Sequence, residues 1–375
     1  MKWMARCACF VLLLVPAAAV AGPYQKDVEY FRAKIESIEK ARKVAGGQPY
    51  LETVFSLRLL SGPEKGSLKS ITFKGDENVP DYVKYRRGDT IFIGHNTIFS
   101  DDGNDEYLTM HDIDNSFGLI ALAAIFLVAL FVVGRGRGLR SLLGLSFTVL
   151  LIFFVFIPFT LKGRPPLLSV LIVSIAAICV TTPLITGLGR KTLTAAAGAA
   201  AGVLVSMAFS VAFGWTMHLS GIVTDELLTV FYTTSANINL RDIALAGMIL
   251  SALGAVMDVS ISISSAVNEF YVVHPGVDSR TAFRSALEVG RDNLGSMVNT
   301  LIMAYVGGAL SLILIIYLRF DSRMPLAMIF SHNEILVEIL RSFVGCMGML
   351  TAVPVTAAVG VWLNHSAAKN APTLQ

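Results

Sequence analysis

Long apolar runs separated by short polar segments fill the chain from residue 117 onward, and this pattern predicts membrane-spanning helices. A span needs about 20 mostly apolar residues. The runs of suitable length are 117–134, 142–161, 167–185, 193–217, 243–267, 296–318 and 336–362. We therefore predict a mostly α membrane protein. It has a bundle of about seven transmembrane helices over residues 117–364 and a cytoplasmic tail over residues 365–375.

Basic residues in the loops give the predicted orientation. Three arginines follow the first span within residues 135–140, and Arg190-Lys191 follows the third. Lysine and arginine are enriched in cytoplasmic loops, so these segments are expected inside. The basic pair in the loop 162–166, which is expected outside, reduces this asymmetry.

Residues 1–21 have the pattern of a cleaved signal peptide. Lys2 and Arg6 precede a short apolar segment, and residues 19–21 form a small-x-small cleavage site. An uncleaved anchor helix is the alternative, but the apolar segment is short for a span. Cleavage would leave residues 22–116 outside the cytoplasm, with the helix bundle in the plasma (inner) membrane.

Residues 22–116 lack long apolar runs and predict a separate small domain. Residues 24–44 predict a solvated helix, because their apolar side chains recur at three- and four-residue steps. Those apolar positions are Val28, Phe31, Ile35 and Ile38. The following β-favouring segments are 51–60, 67–73, 90–93 and 107–110. Together they predict an extracytoplasmic α+β domain with a β-barrel-like part.

An acidic run over residues 101–106 has two interpretations. Calcium prefers carboxylate oxygens, but the spacing does not match an EF-hand loop. A solvated hairpin loop is the favoured alternative. His95 and His111 lie nearby without the fixed spacing of metal ligands, so no metal site is predicted.

Composition narrows the class of protein. Hydrophobic residues make up 54% of the 375 residues and charged residues 15%, whereas soluble domains carry about 25% charged residues. The net charge of +3 gives no nucleic-acid footprint. Neither a zinc or redox spacing of the four cysteines nor a hydrolase elbow or phosphate-binding loop is present. We therefore expect no enzyme activity and no cofactor, with membrane lipid as a partner.

A polar stripe along the fifth predicted span is the sharpest functional signal. Its members share one helical face: Gly247, Ser251, Gly254, Asp258, Ser262 and Ser265. A charge at the bilayer centre costs at least roughly 2.5–3.5 kcal/mol, so Asp258 is expected to turn inward and be paired. Asn299 or Thr300 of the sixth span is the predicted partner, on an antiparallel neighbouring helix. Asp258 would bind a cation or a proton, and Ser262, Ser265 and Asn299 would add oxygen ligands.

The segment 259–264 alternates between β-branched residues and serine. A lone strand cannot cross lipid with its backbone unpaired. The alternatives are a continuous helix and a helix broken at mid-membrane, and the sequence leaves both open.

Small residues recur every four positions along the fourth span, which predicts close helix packing. They are Thr194, Gly198, Gly202, Ser206, Ser210 and Gly214. Gly254 on the fifth span is expected to help in the same way. A homo-oligomer or another membrane subunit is an alternative partner for such a face, and a pore-lining face is a further alternative.

Two other groups of charged residues have competing interpretations. Glu334, Glu338 and Arg341 begin the seventh span at helical spacing and form either an internal ion pair or a snorkelling rim. Asp292 lies near the end of the internal loop predicted over residues 268–295 and could share a proton with Asp258, as in an aspartyl enzyme. Its expected position near the cytoplasmic surface disfavours this pairing.

The run 253–262 around Asp258, the triplet 290–292 and the segments 299–301 and 304–305 together resemble the YibE/F family of bacterial membrane proteins. The resemblance is good over residues 117–318 and weaker in the N-terminal domain. It implies a permease-like helix bundle and lends no catalytic residues.

Three functions follow from these patterns, in order of preference. The first is a transporter or permease component with an intramembrane polar site at Asp258. The second is a membrane scaffold or assembly protein whose exported domain binds a partner. The third is an intramembrane enzyme.

Overall fold

A computed structural model describes residues 28–45, 48–76, 85–100, 103–221, 238–274, 276–319, 328 and 331–370. The chain divides into two compact units, one ending at Val132 and one beginning at Val133. The predicted signal peptide and the last five residues of the predicted tail lie outside the described residues. The same is true of most of the loop between the fourth and fifth spans.

Five antiparallel strands form the first part of the N-terminal unit. They are β1 (Val28–Ala45), β2 (Gln48–Leu59), β3 (Leu68–Asp76), β4 (Thr90–Ser100) and β5 (Gly103–Ile113). The strand order is β3-β2-β1-β4-β5, and the edge strands β3 and β5 approach each other. The sheet therefore curls in the manner of a small barrel.

The helix predicted over residues 24–44 is wrong, because this segment is the long strand β1. Ala33 and Ile35 alternate into the core, as a strand requires. A β-bulge then shifts the register between Ile35 and Ser37, so that the next inward apolar residue is Ile38. The bulge converts a two-residue period into a three-residue step, which imitates helical spacing.

The core of the sheet is made by alternate residues of its central strands. Leu57, Ile91 and Ile93 are fully buried there, and Tyr85 packs edge-on against Phe55. The acidic run falls in the β4–β5 hairpin, where Ser100 pairs with Gly103. The described residues contain no group of three acidic, histidine or cysteine side chains arranged for a metal ion.

Asp114 connects the sheet to the first helix. Its backbone N–H donates to the Thr90 carbonyl, and its carboxylate accepts the Ser116 N–H and pairs with Arg32. The hydrogen bonds from Ser116 and the Arg32 guanidinium lower the pKa of Asp114.

The remaining elements are helices. They are α1 (Ser116–Leu151), a π-helical turn (Ile152–Phe156), α2 (Ile157–Leu161), α3 (Pro166–Thr186), α4 (Arg190–Thr216), α5 (Leu240–Val273), α6 (Ser279–Gly308), α7 (Leu310–Arg319) and α8 (Asn333–Asn370). Arg135 has a non-helical backbone (φ 46°, ψ −138°) and breaks α1 into two apolar halves. Six described segments are long and apolar enough to cross a membrane: Ser116–Gly136, Gly138–Leu161, Pro166–Thr186, Arg190–Thr216, Leu240–Val273 and Asn333–His365.

The predicted sixth span differs from the structure. It is divided between α6, which ends at Gly308, and α7. Neither helix is by itself both long and apolar enough to cross a membrane. The long internal loop predicted over 268–295 is largely helical, because α5 continues to Val273 and α6 begins at Ser279. The Asp278 side chain caps the start of α6, since it accepts the Arg280 N–H.

Close contact between α4, α5 and α8 forms the centre of the second unit. A Cβ atom at Gly198 would lie 2.9 Å from Thr356 Cβ and 3.2 Å from Ser260 Oγ. At Gly202 it would lie 2.7 Å from the Gly348 carbonyl oxygen. Small residues therefore let these three backbones approach, as the four-residue period in the fourth span indicates.

Contacts along the helices show their directions. Successive glycines of α8 lie against successive residues of α5: Gly345 against Ala252, Gly348 against Val256 and Gly360 against Val267. The two helices are therefore parallel. Gly290 of α6 faces Val353, whereas Leu301 faces Gly345. α6 thus runs antiparallel to both helices and returns the chain from the end of α5 toward the start of α8.

The substitution Gly202→Ala should lower the free energy of unfolding by about 1–3 kcal/mol, because its Cβ would overlap backbone atoms of α8. Gly254→Ala is the matched control, since nothing lies within 4 Å of a Cβ at Gly254. Unfolding of the detergent-solubilised protein by a denaturing detergent measures both. Equal losses in the two variants would contradict the packing explanation.

Asp114→Asn should reduce hydrogen-exchange protection in β1 and β4 at neutral pH, because it removes the carboxylate that pairs with Arg32. Asp112→Asn, at an exposed neighbouring position, is the control. The folded-state pKa of Asp114 is lowered, so its contribution to stability is present above the unfolded pKa. This contribution is lost as the pH falls below about 4 through the folded-state pKa. The difference between wild type and Asp114→Asn, each measured at the same pH, should therefore shrink in acid. A difference that persists or grows would contradict this account.

Candidate functional site

The polar stripe of α5 lies directly opposite the face that this helix buries. Ile249, Val256 and Ile263 are fully buried against the neighbouring helices. At 100° per residue, Asp258 projects from the other side of the helix. Gly254 and Asp258 are exposed, and the remaining stripe residues are partly exposed.

The prediction that Asp258 turns inward and is paired is therefore wrong for the part of the chain that the structure describes. Asp258 is exposed near the middle of a 34-residue helix. It makes no hydrogen bond or ion pair with any described residue. The larger apolar side chains on the opposite face take the core positions, so the helix period turns the carboxylate outward.

The helix is continuous through the serine-rich segment, which resolves the alternative that the sequence leaves open. The hydroxyls of Ser260 and Ser265 donate to the carbonyls of Val256 and Ile261, four residues earlier. These bonds satisfy the hydroxyls within the helix. Ser264 instead donates to the Lys191 carbonyl at 3.0 Å and links α5 to the start of α4.

Ser262 is the stripe residue that contacts a second helix. The Asn293 side-chain amide of α6 donates to the Ser262 hydroxyl at 2.8 Å, and both residues are partly buried. Because α5 and α6 are antiparallel, this bond brings the next turn of α6, at Met297, to about the level of Asp258.

Asn299 and Thr300 are exposed on α6 and make no contact with Asp258. The Thr300 hydroxyl donates to its own helix at the Ser296 carbonyl. The predicted antiparallel neighbours are thus present, but Asn293 makes the cross-helix bond. Asn293 lies in the segment 268–295, which the sequence predicts as an internal loop, whereas α6 is already helical there.

Asp292 does not form the acidic pair considered for an enzyme. It is exposed on α6 and makes no hydrogen bond or ion pair with any described residue. The bond between Asn293 and Ser262 sets the register of the two helices, and it brings Asp292 to about the level of Ile263, more than one turn from Asp258. No shared-proton arrangement of these two aspartates follows from this geometry.

The residues predicted for helix packing occupy different environments. Gly198, Gly202 and Ser206 are buried where α4 meets α5 and α8, and Ser206 Oγ donates to the Val344 carbonyl at 3.1 Å. Gly254 is exposed, with open space around it. It therefore belongs to the outward stripe with Asp258.

At the other end of the bundle, Arg341 and Glu338 form an ion pair at 2.6 Å one turn apart on α8. Both side chains are 27% exposed, so the pair is neither fully internal nor a freely solvated rim. Glu334 is exposed and lies outside this pair.

A family model described as YibE/F-like protein matches residues 122–366, which include the whole polar stripe and the three central helices. The comparisons with curated proteins and with solved structures found no match.

Ser262→Ala and Asn293→Ala should each destabilise the bundle, and the double variant should lose less than the sum of the two. Interhelical hydrogen bonds in membranes contribute about 0.6 kcal/mol on average and up to about 1.7. A double-mutant cycle in denaturing detergent measures the coupling. Thr300→Ala is the control, because its hydroxyl bonds only within α6. A coupling energy of zero would show that the hydrogen bond between Asn293 and Ser262 does not stabilise the bundle.

Proposed function

The chain belongs to the YibE/F-like family, and from this premise we propose that it is a membrane-embedded component of a permease. In this proposal the outward stripe of α5 forms one wall of a path for a cation, a proton or a small polar solute. The observation that supports it most directly is the carboxylate of Asp258, which is exposed at the middle of an apolar helix and has no partner among the described residues.

The exposed faces of the other spans have a different composition. They carry large apolar side chains, as lipid contact favours, and examples are Leu168 and Ile172 of α3, Leu193 and Leu204 of α4, and Phe343 and Leu350 of α8. On α5, no large apolar side chain is exposed before Val272. The stripe exposes glycine, serine and aspartate in their place. Such a face suits water or a polar partner better than acyl chains.

Asp258 has the properties of a binding group in this proposal. Its oxygens have no competing partner among the described residues. The hydroxyls of Ser251 and Ser262 lie within two turns on the same face, and the Asn293 amide lies beside Ser262. Carboxylate, hydroxyl and amide oxygens are ligands that hard cations prefer.

We further propose that α6 and α7 together complete a seventh crossing, since the parallel directions of α5 and α8 require the chain to return between them. The basic segments after the first and third spans then lie in the cytoplasm of a cell bounded by a plasma (inner) membrane. Residues 22–116 then lie outside the cytoplasm.

A scaffold or assembly function is the second candidate, and one observation favours it. Nothing lies within 4 Å of a Cβ at either Gly247 or Gly254, so a second helix could approach this face closely. A second copy or another membrane subunit would then cover Asp258, and the β unit would bind its partner outside the cell.

Thiol labelling of single cysteines distinguishes the two functions without knowledge of a substrate. In a variant with the four native cysteines replaced, Ser251→Cys and Gly254→Cys should react in intact membranes with a charged, membrane-impermeant thiol reagent. The expected reason is access of water to the stripe, which thiolate formation requires. Leu204→Cys, which is 53% exposed on the apolar face of α4, is the matched control and should not react.

Two results would contradict the permease proposal. Unreactive thiols at both stripe positions, together with disulfides between copies through Gly254→Cys, would favour the assembly function. Equal labelling at Leu204→Cys would show that the stripe is no more accessible to water than the exposed apolar face of α4.

A further inference from the structure

A groove of about 220 Å³ lies between α6, α7 and the first turns of α8. Its walls are mainly apolar and include Ile302, Ile313, Ile339 and Phe343. The groove is partly open to the outside of the helix bundle. One charged side chain, Glu338, contributes to its lining among the described residues.

The position of α8 relative to the bilayer places this groove at the boundary of the hydrocarbon. The 22 residues from Ser342 to Leu363 contain no charged side chain. They span about 33 Å at 1.5 Å per residue, close to the hydrocarbon thickness of about 30 Å. Glu338 and Arg341 immediately precede this run, so they lie at the level of the lipid headgroups.

Glu338 lines the groove, and its ion-pair partner Arg341 has a donor without an acceptor among the described residues. Arg341 Nη1 donates to Glu338 Oε1 at 2.6 Å. Arg341 Nε is buried and has no acceptor in the described part of the chain. A buried donor without a partner is unfavourable by about 1–3 kcal/mol, so an acceptor from outside the chain would stabilise it.

We propose that this groove binds one zwitterionic phospholipid of the surrounding bilayer. An acyl chain lies along the apolar walls, and the lipid phosphate accepts a hydrogen bond from the guanidinium of Arg341, whose side chain is 27% exposed beside Glu338. The headgroup ammonium lies beside the Glu338 carboxylate. One cationic and one anionic side chain, adjacent at headgroup depth, match the adjacent charges of such a lipid. An anionic headgroup supplies no ammonium to neutralise Glu338 and fits the site less well.

The test uses the full-length protein purified in detergent, depleted of lipid and titrated with phosphatidylethanolamine or phosphatidylglycerol. Native mass spectrometry counts the bound lipids. We expect one phosphatidylethanolamine to bind more tightly than phosphatidylglycerol. Arg341→Gln should reduce its apparent affinity about tenfold, as expected for the loss of one charge-assisted hydrogen bond.

A second variant protects the test against misfolding of Arg341→Gln. Ala309→Leu adds bulk to the groove lining and leaves both charges intact, so it should also reduce binding. Ala304→Leu is the matched control, because Ala304 is exposed on α6 and does not line the groove. Thermal melting of each variant shows whether it is folded.

Three outcomes would overturn the proposal. The first is equal binding of the two lipids that is insensitive to Ala309→Leu, which describes a general lipid annulus. The second is tighter binding of phosphatidylglycerol, which contradicts the charge match. The third is absence of retained lipid together with dimers that Ala309→Leu disrupts, which makes the groove a contact between copies. None of these results depends on the function proposed for Asp258.

Discussion

Close approach of α4, α5 and α8 is the constraint on which the helical unit depends. Three glycines and two serines of α4 and α8 remove the side-chain bulk that would separate the backbones: Gly198, Gly202, Gly348, Ser206 and Ser210. Thr356 is the larger neighbour that packs against Gly198. The large apolar residues of α5 pack into this contact. Because the helix repeats every 3.6 residues, its opposite face lacks them. The outward position of Asp258 is therefore a consequence of how the centre packs.

Some of this arrangement could be predicted from the sequence. The small residues of the fourth span recur every four positions, so the sequence predicts their part in close helix packing. The direction of the α5 stripe could not be predicted, because a helical wheel shows which residues share a face but not which face a neighbouring helix covers. Asp258 and Ile263 lie on opposite faces, and only the partners of Ile263 decide between inward and outward.

The other errors have equally local causes. The bulge after Ile35 gave strand β1 a helical spacing of apolar residues. The charged first half of α6 predicts a loop, although the helix is continuous to Gly308, and this hid Asn293 as the partner of Ser262. Strand β1 contains two spacings of apolar residues, and α6 contains a charged part and an apolar part. A pattern that assumes one period or one environment for each element describes only one of the two.

The serine hydroxyls that cross between helices also restrict how the bundle can move. Ser264 binds the Lys191 carbonyl near one end of α4, and Ser206 binds the Val344 carbonyl near its middle. These two hydrogen bonds lie at different levels along α4, so sliding of α4 along its axis would break both. Rigid tilting of the three central helices as a block preserves them. α6 packs less extensively against this block than the three helices pack against one another, so a movement of α6 would break fewer contacts than a movement within the block.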